Sequence, residues 1–189
     1  MIDLADAAHV AEIVTACGVF VAIYQLHADR ARSRKEFAAR LIWEWTQLIE
    51  RNTRAAAKLV NGLTSQQCDK IFNQQRLELA ADEANLFLAA IAGSELKISR
   101  EGDVVKLEES HSSYLRSKVT NYLNLLESVF VAWNYDVGER GILAQQFHFM
   151  VFPFASDTVF LENYLTVAEW KENYPMIFRY VKSKRSSVG

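Results

Sequence analysis

Seven glycines and two prolines are all that a chain of 189 residues offers for tight turns. A β-sandwich or barrel of this size turns about every ten residues and draws on Gly, Pro, Asn and Asp to do so. The two prolines, Pro153 and Pro175, are placed as punctuation between helices rather than as turn residues of a sheet. The expected fold is therefore all-α: a long apolar N-terminal helix followed by an irregular helical bundle. The length fits one domain with a short appendage and is enough to bury a core.

The first helix carries the sharpest expectation. From Ala7 to Leu26 the chain is mostly apolar, and its centre, Ile13 to Ile23, holds no charged residue. That is about the length that crosses a bilayer. Eight residues between Ala8 and Leu26 are Val, Ile, Leu or Phe, and at about 0.3 to 0.6 kcal/mol each they favour insertion by roughly 2 to 5 kcal/mol. His9, Glu12 and Gln25 oppose it, but near the ends, where snorkelling lowers their cost. The flanks tip the balance. Asp3 and Asp6 precede the stretch and Arg30, Arg32, Arg34 and Lys35 follow it, and positive charge marks the cytoplasmic side of a spanning helix. The pattern predicts a single-pass inner-membrane anchor over residues 1–28 and a cytoplasmic helical domain over residues 29–189. A cleaved signal peptide would carry its positive charges first and a small-residue cleavage site last, and neither is present. The alternative is a buried central helix of a soluble bundle.

Glu12 within this helix is costly against lipid, and such residues usually face a partner or a water-filled cavity. Ala8, Ala11, Thr15 and Gly18 give a small-residue face beside it that permits close helix approach. A homo-oligomer with contacts through the first helix is expected. The basic cluster Arg30, Arg32, Arg34 and Lys35 would then meet anionic lipid, at about 1 kcal/mol per residue near the surface. No aromatic interleaving supports base stacking there, and a net charge of −2 gives no general attraction to nucleic acid, which is not an expected partner.

Beyond the cluster, Phe37, Leu41, Trp45, Leu48 and Ile49 recur at helical spacing, and with no Gly or Pro between, one helix is expected to run on to Asn61-Gly62. Thr64 and Gln67 have capping-box spacing. Leu77, Ala80, Ala81, Ala84, Phe87, Leu88 and Ile91 form the next stripe. Residues 96–107 alternate around Gly102-Asp103, which predicts a short β-hairpin. The strongest stripe follows in Val119, Tyr122, Leu123, Leu126, Val129, Phe130 and Trp133, a central core helix stopped by Gly138. A helix from Ile142 to Phe152 closes at Pro153, Ser156 or Asp157 caps the next, and Thr166 with Glu169 has capping-box spacing before Trp170. The chain restarts at Asn173-Tyr174-Pro175, and Lys182, Lys184 and Arg185 suit the negative end of a last helix. Trp43, off the stripe, is a candidate interface residue.

Catalytic patterns are sparse. The sequence holds no phosphate loop, nucleophile elbow or His-Glu-x-x-His, and Cys17 and Cys68 fit neither a disulfide framework nor a zinc spacing. Glu108-x-x-His111 has the spacing used in di-iron bundles, but that chemistry needs a second copy and two further carboxylates, so a solvated helix start is expected. No catalytic, cofactor-binding or metal residue is assigned, no cofactor is expected, and an enzyme is the less favoured reading. Arg140 and His148 are similar in type to the Arg and His of helical ribonucleases of the HEPN type. Seven residues separate them, more than in that motif, and at about 100° per residue their side chains point roughly 80° apart.

The order of features resembles a family of bacterial membrane-anchored proteins of unknown function: an anchor ending in Tyr24-Gln25-Leu26, an Arg-rich stretch, and a helical body. Within the body the segment Asn121-Tyr122-Leu123-Asn124-Leu125-Leu126-Glu127-Ser128-Val129, then Tyr135 to Gly138 and the Phe147 helix, carries the resemblance. More loosely, the layout looks like the small membrane accessory protein of RNA-targeting CRISPR systems. That likeness implies a membrane-anchored protein acting by self-association or partner binding, as a pore-forming or accessory effector in antiviral defence. The alternative is a soluble helical adaptor, or a degenerate HEPN-type ribonuclease, with the first helix in the core.

Overall fold

A computed structural model describes residues 4–80, 83–96, 99–101, 104–153 and 158–186; of these, the side chains of residues 4–20 and 99–101 fall outside the description. The chain is mostly helical, as the scarcity of turn residues implies. Helix α1 spans Leu4–Leu48, 45 residues, or roughly 65 Å of rise. It is followed by α2 (Arg51–Gly62), α3 (Ser65–Phe72), strand β1 (Leu77–Ala80), α4 (Ala84–Ile91), strands β2 (Ser99–Glu101) and β3 (Val104–Leu107), α5 (Glu109–Asn134), α6 (Arg140–Val151), α7 (Glu162–Val167), α8 (Trp170–Asn173) and α9 (Pro175–Arg185).

Helix α5 is the hub. Val119, Tyr122, Leu123, Leu126, Val129 and Phe130 are buried along one side of it, as the helical spacing requires. Helices α2, α3, α6 and α9 pack around it. Trp45 from α1 fits between Tyr122 and Phe147, edge to face with both at 5.6 and 5.1 Å between ring centroids. On the far side Tyr180 of α9 stacks on Phe130 at 4.2 Å. Glu127 of α5 accepts hydrogen bonds from the backbone N–H groups of Met176 and Ile177, at 2.7 and 2.9 Å, and so closes the start of α9. Burial pushes its carboxyl above the ordinary glutamate value, and the two N–H donors offset part of that.

The hairpin expected near residues 96–107 is present as the antiparallel pair β2–β3, its Gly102-Asp103 turn lying outside the described residues. A third strand was not expected. Leu77–Ala80 pairs antiparallel with β3, Leu77 opposite Leu107 and Leu79 opposite Val105, giving the order β1-β3-β2. Leu77 and Leu79 point inward while Glu78 and Ala80 stay exposed, so the helical stripe drawn through Leu77 and Ala80 is corrected to a strand. Gln74, left-handed at φ 56°, turns the chain after α3. The helical stripe survives only in α4, from Ala84.

Five further expectations are corrected. The first helix does not run to Gly62: α1 ends at Leu48, and Glu50 is extended, at ψ 156°, before α2. Gly62 is not the left-handed cap, because α2 ends through an extended Leu63. On the Phe37 stripe, Trp45 and Ile49 are buried, whereas Phe37 and Leu48 are exposed. Helix α5 ends at Asn134, and Asp136 (φ 57°) makes the left-handed turn in place of Gly138. Gly138 serves close approach instead, since a Cβ there would meet Leu143 Cδ1 at 2.8 Å. Thr166 bonds back to the Glu162 carbonyl at 2.8 Å within α7, and Glu169 starts α8 without a side-chain cap. The Thr64–Gln67 capping box forms, as does the proline-led start of α9. Ser156 and Asp157 lie outside the described residues.

Candidate functional site

The basic collar and the segment above it form the most distinctive surface. Every side chain from Val21 to Arg30 is exposed, including Ile23, Tyr24 and Leu26, the last two above 70 %. Helix α1 is therefore exposed on every side from Val21 to Arg30. Among the described residues no helix is long and apolar enough to cross a membrane. Of the stretch on which that expectation rests, Ile13 to Ile23, the residues 13–20 have side chains outside the description, as do Glu12, Cys17 and the small-residue face Ala8, Ala11, Thr15 and Gly18.

The four cations of the collar divide by role. Arg30 and Lys35 are exposed. Arg32 pairs with Glu36 one turn on, at 2.8 Å with both side chains well exposed, a pair that contributes only a few tenths of a kcal/mol. Arg34 is half-buried and joins Asp136 in an ion pair across 102 residues of sequence. Its own carbonyl accepts from the Glu139 N–H at 3.1 Å. Arg34 thus fastens α1 to the α5–α6 turn.

The residues weighed for catalysis have structural partners. His111 is buried, not solvated. Its Nδ1 accepts from the Glu108 N–H at 3.0 Å, and its ring lies edge-on to Phe87 at 5.5 Å. Glu108 pairs with Arg76 at 2.8 Å. Among the described residues no group of three His, Cys, Asp or Glu side chains could hold a metal ion. Arg140 donates to the last carbonyls of α5, Trp133 at 3.0 Å and Asn134 at 2.9 Å, the capping role open to a cation at a helix end. His148 Nδ1 lies 3.4 Å from the Tyr180 hydroxyl. The two are committed to different neighbours. Trp43 is 63 % exposed, free to meet a partner.

One constellation was not anticipated. Arg116, Thr120 and Asn124 of the central helix, all off its apolar stripe, line a depression with Phe72 of α3 and Tyr174. Phe72 lies 44 residues before Arg116 and Tyr174 lies 58 after it, so no local spacing joins them. Compared with protein-family models, with curated proteins and with solved structures, the chain matches none.

Proposed function

We propose that this chain is a membrane-tethered helical domain that works by self-association or by binding a partner. The observation that carries the reading is the exposure of α1 from Val21 to Arg30. The exposed apolar residues Val21, Ile23, Tyr24 and Leu26 favour another apolar environment, because water penalises apolar surface by about 25 cal/mol per Å². The buried-helix alternative fits less well, since the described part of the stretch touches no core. The collar of Arg30, Arg32 and Lys35 sits where anionic headgroups would meet a helix entering from the cytoplasm. Glu12 and the small-residue face supply the motive for packing copies around an axis. The setting in antiviral defence rests on the resemblance alone.

Fractionation of cells expressing the full chain tests this. The protein is expected in the membrane pellet after washing with high salt and with alkaline carbonate, and the chain lacking residues 1–28 in the supernatant. Release of the full chain by salt alone would reduce the tether to surface electrostatics, and a full chain in the supernatant throughout would end the proposal.

A further inference from the structure

Between Ser110 and Leu126, α5 carries Arg116 and Lys118 and no carboxylate, in a chain with 23 acidic residues. Lys118 is taken up by Glu50 at 2.7 Å. Arg116 is not: its guanidinium lies over the Phe72 ring, 4.7 Å from the centroid, and it forms no ion pair among the described residues. An arginine whose guanidinium rests over an aromatic ring, with no ion-pair partner, keeps donors for something else.

The surroundings suit an anion. Arg116, Thr120 and Asn124 follow helical spacing on the outward side of α5 and border two adjoining depressions. The larger, about 580 Å³, reaches Gln74; the smaller, about 250 Å³, reaches Phe72 and Tyr174. Thr120 lies within hydrogen-bonding reach of the phenols of Tyr164 and Tyr174. The positive field of Arg116 reaches both phenols and, against the larger effect of burial, favours their charged forms. One fixed cation ringed by neutral hydroxyl and carboxamide donors supplies more donors than a carboxylate can use and a number that a phosphoryl group can. The larger depression is within the size range of small-molecule sites.

We propose that this groove, with Arg116 braced on Phe72 and Thr120, Asn124 and Gln74 around it, binds a phosphate-bearing small molecule. The phosphoryl group meets Arg116 and the neutral donors, and the uncharged remainder occupies the larger depression. The site is independent of the tether.

Titration calorimetry on the full chain in uncharged detergent micelles tests it, with AMP, inorganic phosphate and citrate as probes. AMP is expected to bind saturably, with phosphate competing and citrate not. Arg116→Gln weakens AMP at least tenfold, Asn124→Ala severalfold, and Arg140→Ala leaves it unchanged. No saturable binding of AMP or phosphate overturns the proposal, as does equal affinity in Arg116→Gln. Citrate competing as well as phosphate assigns the groove to carboxylates, and a short single-stranded RNA displacing AMP more effectively than phosphate assigns it to nucleic acid; either result overturns it. Should Arg116→Gln fail to fold by circular dichroism, Asn124→Asp, which sets a carboxylate in the groove, is expected to abolish AMP binding, and unaltered affinity there overturns the proposal.

Discussion

Cys68 shows how burial sets chemistry at a single residue. It is fully buried in α3, with its Sγ 3.7 Å from the Val60 carbonyl and 4.0 Å from that of Leu63. Burial pushes its thiol up to about 11. The sign follows directly: a raised value keeps the unreactive thiol form through neutral and mildly alkaline pH, whereas an ordinary cysteine near 8.5 is already partly thiolate at pH 8. In a Cys17→Ser background, reaction of Cys68 with a thiol reagent at pH 8 is expected to be on the order of a hundredfold slower than for the denatured chain. A native rate within a fewfold of the denatured one would contradict the burial. The same contrast marks what sequence carries at this scale. That Cys68 belongs to no metal or disulfide pattern is legible from spacing. That Arg140 caps a helix and Arg34 reaches Asp136 is not, because each role depends on a partner brought in by the fold.

Elements were legible where one periodicity prevailed. The stripe of α5 satisfies a helix and nothing else over four turns, and the structure buries it as expected. Leu77 to Ile91 satisfies two patterns at once: Leu77 and Leu79 alternate as a strand needs, while Leu77, Ala80 and Ala84 recur as a helix needs. Pairing with β3 decides between them, and the partner residues lie 24 to 30 positions on. The break between α1 and α2 left no Gly or Pro to mark it, and what fixes it is packing: Ile49, 5 % exposed, turns into the core while Leu48 stays out. Trp45 is the counterpart on the helix side. Trp45→Ala removes the ring wedged between Tyr122 and Phe147 and is expected to cost about 3 to 5 kcal/mol. Limited proteolysis should then cut within residues 30–50 of the variant at protease levels that leave the wild type intact; equal resistance would show that α1 is held by other contacts.

For the molecule as a whole, the polar joint of Arg34, Asp136 and Glu139 and the apolar wedge of Trp45 together hold the lower half of α1 to the body, while every side chain of residues 21–30 is exposed. Deleting residues 1–28 is therefore expected to leave the body folded, with unfolding free energy within about 0.5 kcal/mol of the full chain in detergent. Loss of the helical circular-dichroism signal on truncation would mean that the upstream half contributes to the core. The candidate groove was the least legible feature at this scale. Its hydroxyl and amide on α5 lie off the apolar stripe, and the arrival of Phe72 and Tyr174 from other elements makes it concave.

Because α1 is continuous from Leu4 to Leu48, with no glycine or proline in the joint between Leu26 and Arg34, it transmits rotation as well as position. Each residue of such a helix advances about 100° around the axis and 1.5 Å along it. The rotational phase of the body is thus locked to that of the apolar half. One residue added above the collar would swing Trp43 and the α5 groove by about a quarter of a circle, and four would return them almost to register. In any assembly organised by the upstream halves, the facing surfaces of the bodies would be set by this phase, much as a crankshaft sets the order of its pistons.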